Sequence, residues 1–175
     1  MRKTINCFIP YEENTAIDKV VTALKDSIVV NKIYLLTTAH GSMPSVPAGC
    51  EPFTIDSLNS SDTIKKIAQK ADTPFTLLYT KASPFELGYM ALERIADFLQ
   101  DRKTGMVYAD HYEWKEGEKK KHPAIDYQPG SVRDDFDFGA LLAFRSEYLI
   151  GAAGMMENER ENYRYAGLYA TRLFI

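Results

Sequence analysis

Two cysteines, Cys7 and Cys50, are too few for a disulfide framework. Cys7 falls inside an apolar run and reads as a small buried hydrophobe rather than a reactive thiol. No apolar run approaches the roughly 20 residues that a membrane-spanning helix needs. The basic start Met1-Arg2-Lys3 is followed by a run that contains Asn6 and stops at Pro10, too short for the core of a signal peptide. These features predict a cytoplasmic chain with no transmembrane segment. The net charge is only -3, with no long basic stripe, so nucleic acid and anionic membranes are not expected as partners of the chain as a whole. The one lysine run, Lys119-Lys120-Lys121, is flanked by Glu113, Glu116 and Glu118 and reads as a solvated hairpin tip.

Several catalytic signatures are also missing. No G-x-G-x-x-G follows the first apolar run and no G-x-x-x-x-G-K-[ST] occurs, which removes sequence support for a nicotinamide site or a P-loop. No G-x-S-x-G is present, so a hydrolase elbow is unsupported. His40, His111 and His122 have no Cys or His at a metal-ligand spacing, and Asp110-His111 reads first as a hydrated surface pair.

What is present is a rhythm. Short apolar runs recur at Cys7-Phe8-Ile9, Ile33-Tyr34-Leu35-Leu36, Phe53-Thr54-Ile55, Phe75 to Tyr79 and Met106-Val107-Tyr108, separated mostly by amphipathic stretches of helical period. Continuous apolar runs mark strands buried on both faces, and their alternation with helices predicts an α/β fold with a mostly parallel sheet. A chain of 175 residues suits one such domain, 1–175. The uncapped run from Leu168 to Ile175 suggests that it is the N-terminal part of a longer chain.

Ile17, Val20, Val21 and Leu24 make one face of a first helix, with Asn14 or Thr15 as its cap. Positions 39–52 carry Gly41, Gly49, Pro44, Pro47 and Pro52 and read as a long loop. A second helix begins near Asp62. Ser83-Pro84-Phe85-Glu86 has the cap, proline and acidic residue of a helix start. Met106 to Trp114 reads as one strand that returns through a hairpin at Lys115-Glu116-Gly117-Glu118. Phe138 to Phe144 reads as a further core strand, and 145–153 and 160–173 as helices.

Ligands of parallel sheets bind beyond the carboxyl ends of the strands. Here those ends carry Pro10-Tyr11-Glu12-Glu13, Thr37-Thr38, Asp56-Ser57, Thr80-Lys81 and Asp110-His111. Asp56, Asp110 and Lys81 could face one cleft; equally, Asp56 could open an Asx-turn and Asp110 be a plain polar strand residue. Asn59-Ser60-Ser61 precedes a helix, where backbone amides favour phosphate, although ordinary capping uses the same residue types. The cluster Arg133-Asp134-Asp135-Phe136-Asp137 could hold Mg²⁺ or an amine, or pair internally. Glu157, Glu159 and Glu161 interleave with Arg160 and Arg164 as helix-surface pairs.

The order of these elements resembles the family-2 glycosyltransferases. Cys7-Phe8-Ile9-Pro10-Tyr11-Glu12-Glu13-Asn14 resembles their opening strand, which ends in Ile-Pro-x-(Tyr/Phe)-Asn-Glu. Ile33 to Thr38 resembles the second strand, ending here in threonines where the family has acidic residues. Asp56 to Ser61 stands at the family's Asn-x-Gly turn. Phe75 to Glu93 resembles the segment around its Asp-x-Asp motif, Phe138 to Arg145 its later Gly-rich strand, and Glu161-Asn162-Tyr163 through Arg172-Leu173 its general-base helix.

The resemblance implies a Rossmann-like GT-A fold of the nucleotide-diphospho-sugar transferase type. It implies transfer of a sugar, with inversion, from a nucleotide-sugar donor to a hydroxyl on a carbohydrate or lipid-linked acceptor, as in polysaccharide biosynthesis. By the same resemblance Pro10, Tyr11 and Glu13 line the base and ribose pocket, Asp56 and Asn59 lie near the nucleoside, and Glu161 is the general base. Where the family has Asp-x-Asp to hold a divalent metal, this chain reads Tyr79-Thr80-Lys81-Ala82-Ser83. Either Lys81 neutralises the diphosphate as a point charge, or Asp110 at the next strand end holds Mg²⁺ or Mn²⁺. The altered motif also leaves open a second reading, a non-catalytic module of the same fold that binds a nucleotide or a partner without turnover. A nucleotidyltransferase is less favoured, because 10–15 lacks the Gly- and Arg-rich loop usual after the first strand of such enzymes.

Overall fold

The computed structural model describes residues 3–12, 16–38, 45–124, 138–157 and 171. Strands β1 (Ile5–Pro10), β2 (Val30–Thr38), β3 (Glu51–Ile55), β4 (Phe75–Tyr79), β5 (Met106–Val107) and β8 (Leu141–Arg145) form one six-stranded sheet in the order β3-β2-β1-β4-β8-β5. β1 pairs in parallel with β2 on one side and β4 on the other, and β3 lies parallel to β2. β8 runs antiparallel to both β4 and β5. Strands β6 (His111–Lys115) and β7 (Glu118–His122) form a separate two-stranded hairpin.

The sheet is covered by the helices α1 (Asp18–Asp26), α2 (Ser61–Gln69), α3 (Ala91–Leu99) and α4 (Ser146–Glu157). The alternation of side chains along a strand divides the core in two. Ile5, Cys7 and Ile9 pack with Val20, Val21 and Leu24 of α1 and with Leu92, Ala96 and Leu99 of α3. Phe8, Tyr34, Leu78 and Phe144 point the other way, onto Ile64 and Ile67 of α2 and Leu149 and Ala153 of α4. Covering on both faces is what makes the β1 and β4 runs largely apolar. Burial also raises the Cys7 thiol far above the ordinary range, so it behaves as a hydrophobe. Among the described residues no helix is long and apolar enough to cross a membrane.

Asn6 breaks the apolar pattern of β1 and is fully buried. Its amide donates to the Lys70 carbonyl (3.1 Å) and Asp72 Oδ1 (2.6 Å), and its side-chain carbonyl accepts from Asn31 (3.0 Å). These bonds satisfy the amide and tie β1 to the segments entering β2 and β4 at the amino edge of the sheet.

Three expectations change. α1 starts at Asp18 with Ile17 at its cap position; Asn14 and Thr15 lie outside the described residues. Ser83-Pro84-Phe85-Glu86 does not start a helix. The Ser83 hydroxyl bonds Tyr79 Oη (3.1 Å), Phe85 packs on the Tyr79 ring (4.3 Å), and Leu87 joins the same core. Packing Phe85 and Leu87 there holds this segment irregular until Met90 turns the chain with φ 49°, and α3 begins at Ala91. The run from Met106 to Trp114 is two strands, because β5 leaves the sheet after Val107 and Tyr108 packs edge-on against Phe138 (5.0 Å).

Phe8 is stacked on Tyr34 (4.7 Å) and meets Phe53 edge-on (5.8 Å) at the centre of the sheet. Phe8→Ala should therefore cost roughly 3–5 kcal/mol in chemical denaturation. A loss below about 1 kcal/mol would show that this cluster does not organise the core.

Candidate functional site at the carboxyl edge

Because β1 to β5 run in parallel, the segments after them open on one edge of the sheet. The chain adds β2 and β3 on one side of β1, then crosses to add β4 on the other. Strand order thus reverses between β1 and β4, and such a switch point is where open α/β sheets bind their ligands. Tyr11 follows β1 and Thr80-Lys81 follows β4, so these residues flank it. The Tyr11 amide donates to Leu36 O (2.8 Å) and its hydroxyl to Ser45 O (3.3 Å), holding the ring toward the loop after β2. Thr80 is fixed by two bonds to Ala140 O, from its amide (2.8 Å) and its hydroxyl (3.1 Å). Pro10 is half-buried at the end of β1, paired with Leu36.

The other expected site residues lie further along the edge. Asp56 and Asn59 are exposed beyond β3, two strands from β1. The turn that contains Asn59 serves the helix: Ser60 Oγ accepts from the Thr63 amide (3.2 Å) and the Thr63 hydroxyl donates to Ser57 O (2.6 Å). That is ordinary capping. Asp110 is exposed past β5, with β8 between it and β4. Tyr11 and Lys81 thus follow neighbouring strands, β1 and β4, while Asp56 follows the outer strand β3 and Asp110 follows β5. Glu13, Glu161, His40 and the cluster 133–137 lie outside the described residues.

Both expected charged groups on the β4 side of the edge are already engaged. Lys81 Nζ sits 3.0 Å from Glu113 Oε1, and Lys115 Nζ 3.2 Å from Glu113 Oε2. The two ammonium groups, Lys81 first, hold the Glu113 carboxyl down at about 2. Asp110 accepts from the Ala124 amide (2.8 Å) and pairs with Lys121 (3.4 Å), contacts that lower its carboxyl in the same order. His111 does not stand free in water as a surface pair with Asp110. Its ring stacks on His122 (4.8 Å), its Nε2 lies 3.6 Å from Glu113, and both its nitrogens are buried without a hydrogen bond. Gly139 makes room for this ring: it has φ 77°, and a Cβ there would lie 3.2 Å from His111 Nδ1.

Period and spacing did not point to Glu113, Lys115, the His111–His122 stack or Gly139 as site residues. A signal existed. The hairpin turns at Glu116 and Gly117, both with positive φ, as a two-residue turn requires. That turn sets the register that places His111 opposite His122 and Glu113 on the same strand face. Among the described residues no group of three or more His, Cys, Asp or Glu side chains is placed to hold a metal. Asp110, the ligand expected for a divalent ion, is turned to Lys121 and the Ala124 amide.

No family model and no curated protein matches the chain. Among solved structures it is similar to 2-C-methyl-D-erythritol 4-phosphate cytidylyltransferase from Thermus thermophilus, with a TM-score of 0.54 over 97% of this chain and 84% of that one, at 11% identity. The likeness is one of fold. The chain shares with it a mostly parallel α/β sheet flanked by helices.

The Lys81–Glu113–Lys115 contact anchors the hairpin above the sheet. Its contribution is fully present above about pH 4.5 and fades as pH falls toward 2, where Glu113 protonates. Glu113→Gln should melt below wild type at pH 6, with the gap closing near pH 2. A gap of equal size at both pH values would contradict this.

Proposed function

We propose that the crevice between β1 and β4 binds the nucleoside diphosphate of a nucleotide-sugar, and that the domain transfers the sugar to a hydroxyl acceptor. The observation that carries the reading is the switch point itself, with an aromatic side chain, Tyr11, on one lip and a cation, Lys81, on the other. Tyr11 and Pro10 offer an apolar flank for the base. Lys81 is half-exposed on a flexible stem and can exchange Glu113 for a phosphate oxygen without desolvating a buried charge. As the donor bond breaks, the ammonium would offset the charge growing on the leaving diphosphate. Glu161 would take the proton of the attacking hydroxyl, and Glu13, Asp56 and Asn59 would face the nucleoside; these roles rest on the glycosyltransferase resemblance. The cytidylyltransferase fold likeness supports a nucleotide ligand in general rather than sugar transfer in particular.

A second reading is favoured by the occupied charges. With Lys81 held by Glu113 and Asp110 held by Lys121, the edge also suits a module that binds a nucleotide or partner without turnover.

Isothermal calorimetry with UDP, CDP and GDP-sugars, with and without Mn²⁺, tests the first claim. A nucleotide should bind, and Lys81→Ala should weaken it about tenfold or more. Absence of binding to every nucleotide would overturn both nucleotide readings. Donor hydrolysis without acceptor, abolished by Glu161→Gln, separates the enzyme from the silent module. A metal held through Asp110 would have to displace Lys121, so Asp110→Asn should remove any Mn²⁺ enhancement.

A further inference from the structure

Glu113 is held by two lysines rather than one. Its Oε1 lies 3.0 Å from Lys81 Nζ and its Oε2 3.2 Å from Lys115 Nζ. Lys81 follows β4 at the switch point, whereas Lys115 ends β6 on the same strand face as Glu113. The Glu113 side chain is 23% exposed, against 53% for Lys81 and 63% for Lys115. Its strand is well seated, because the His111 ring two residues earlier stacks on His122 and packs against Gly139. The two ammonium groups hold the carboxyl down at about 2, so Glu113 is ionised throughout the neutral range.

From this geometry we infer that Glu113 is a built-in counter-ion, occupying Lys81 until a ligand phosphate takes its place, and that Lys115 retains the carboxylate after the exchange. The inference rests on the reading that a nucleotide's phosphates meet Lys81, and it adds how that site is regulated. A half-buried carboxylate left without a cation costs desolvation energy that nothing offsets. With a single lysine, any phosphate that drew Lys81 away would impose that cost. With two, Glu113 falls back on Lys115 while Lys81 turns to the phosphate, and each charge is met before and after. The exchange still weakens binding. Glu113 is tethered, so it competes at a high effective concentration. A ligand meets only the fraction of molecules in which Lys81 is released. The wild-type site is therefore weaker than the same site with residue 113 uncharged, and the weakening runs through Lys81.

The test is calorimetry on the full chain with UDP and with inorganic pyrophosphate, at one fixed low salt concentration. Glu113→Gln, with its fold checked by circular dichroism, should bind both about three- to tenfold more tightly than wild type. Combined with Lys81→Ala, the same substitution should bring no gain. Lys115→Met changes an exposed side chain and leaves Glu113 to Lys81 alone. It should bind roughly threefold more weakly, and should have no effect when combined with Glu113→Gln. The inference is overturned if Glu113→Gln binds no more tightly, if its gain persists without Lys81, or if Lys115→Met binds as well as wild type. The nucleotide reading fails separately. Pyrophosphate binding that follows this pattern, with UDP bound no more tightly than pyrophosphate, would keep the exchange and remove the nucleoside from the site. UDP binding that depends on Lys81 but ignores Glu113→Gln would do the reverse. Absence of binding by wild type and by every variant would overturn both.

Discussion

β1 is hydrogen-bonded on both sides to parallel neighbours, and the rest of the molecule follows from that constraint. A parallel pair cannot be closed by a tight turn, so each connection must travel the length of the sheet, and here α1 and α2 do so on opposite faces. Two apolar faces then need covering, which fixes the two halves of the core and the apolar character of β1 and β4. The same pairing puts the switch point of the sheet at the carboxyl ends of β1 and β4. Asn6 closes the opposite edge with three side-chain hydrogen bonds. The sheet is therefore asymmetric: one edge is sealed by polar satisfaction, the other is open and charged.

The open edge is an electrostatic compromise. A nucleotide's phosphates need fixed positive charge, yet Lys81 in the unliganded chain is neutralised by Glu113, which Lys115 shares. Such a half-exposed pair is worth little to stability. Its consequence is competition, since an incoming phosphate must displace a carboxylate already in place, and salt weakens both contestants. Asp110 is in the mirror situation, its charge met by Lys121 and a backbone amide. Lys81 and Asp110, which the resemblance singled out, are thus on the expected edge but each engaged with a residue of the hairpin or of its exit.

Much of this was legible. The apolar runs at 7–9, 33–36, 53–55 and 75–79 predicted the parallel strands because burial on both faces leaves little room for polar alternation. The period of Ile17, Val20, Val21 and Leu24 predicted α1. What failed was local propensity set against tertiary burial. Ser83-Pro84-Phe85-Glu86 has every feature of a helix start, but the Phe85 and Leu87 side chains gain more by packing on the core than the helix would by starting early. The Tyr108–Phe138 contact likewise ended β5 where pattern alone ran on to Trp114. Site residues were legible only by position along the edge. Which charges meet depended on the hairpin folding back toward β4, a long-range event invisible to period or spacing, although the Glu116-Gly117 turn already encoded His111 opposite His122.

The most direct test of the account is amide chemical-shift mapping during titration with UDP or CDP. The prediction is that the largest shifts fall on Tyr11, Thr80 and Lys81, with smaller ones at Glu113 as its lysine is drawn away. Shifts centred on another surface, such as the groove between Ile28 and Met90, with none at Tyr11 and Lys81, would contradict it.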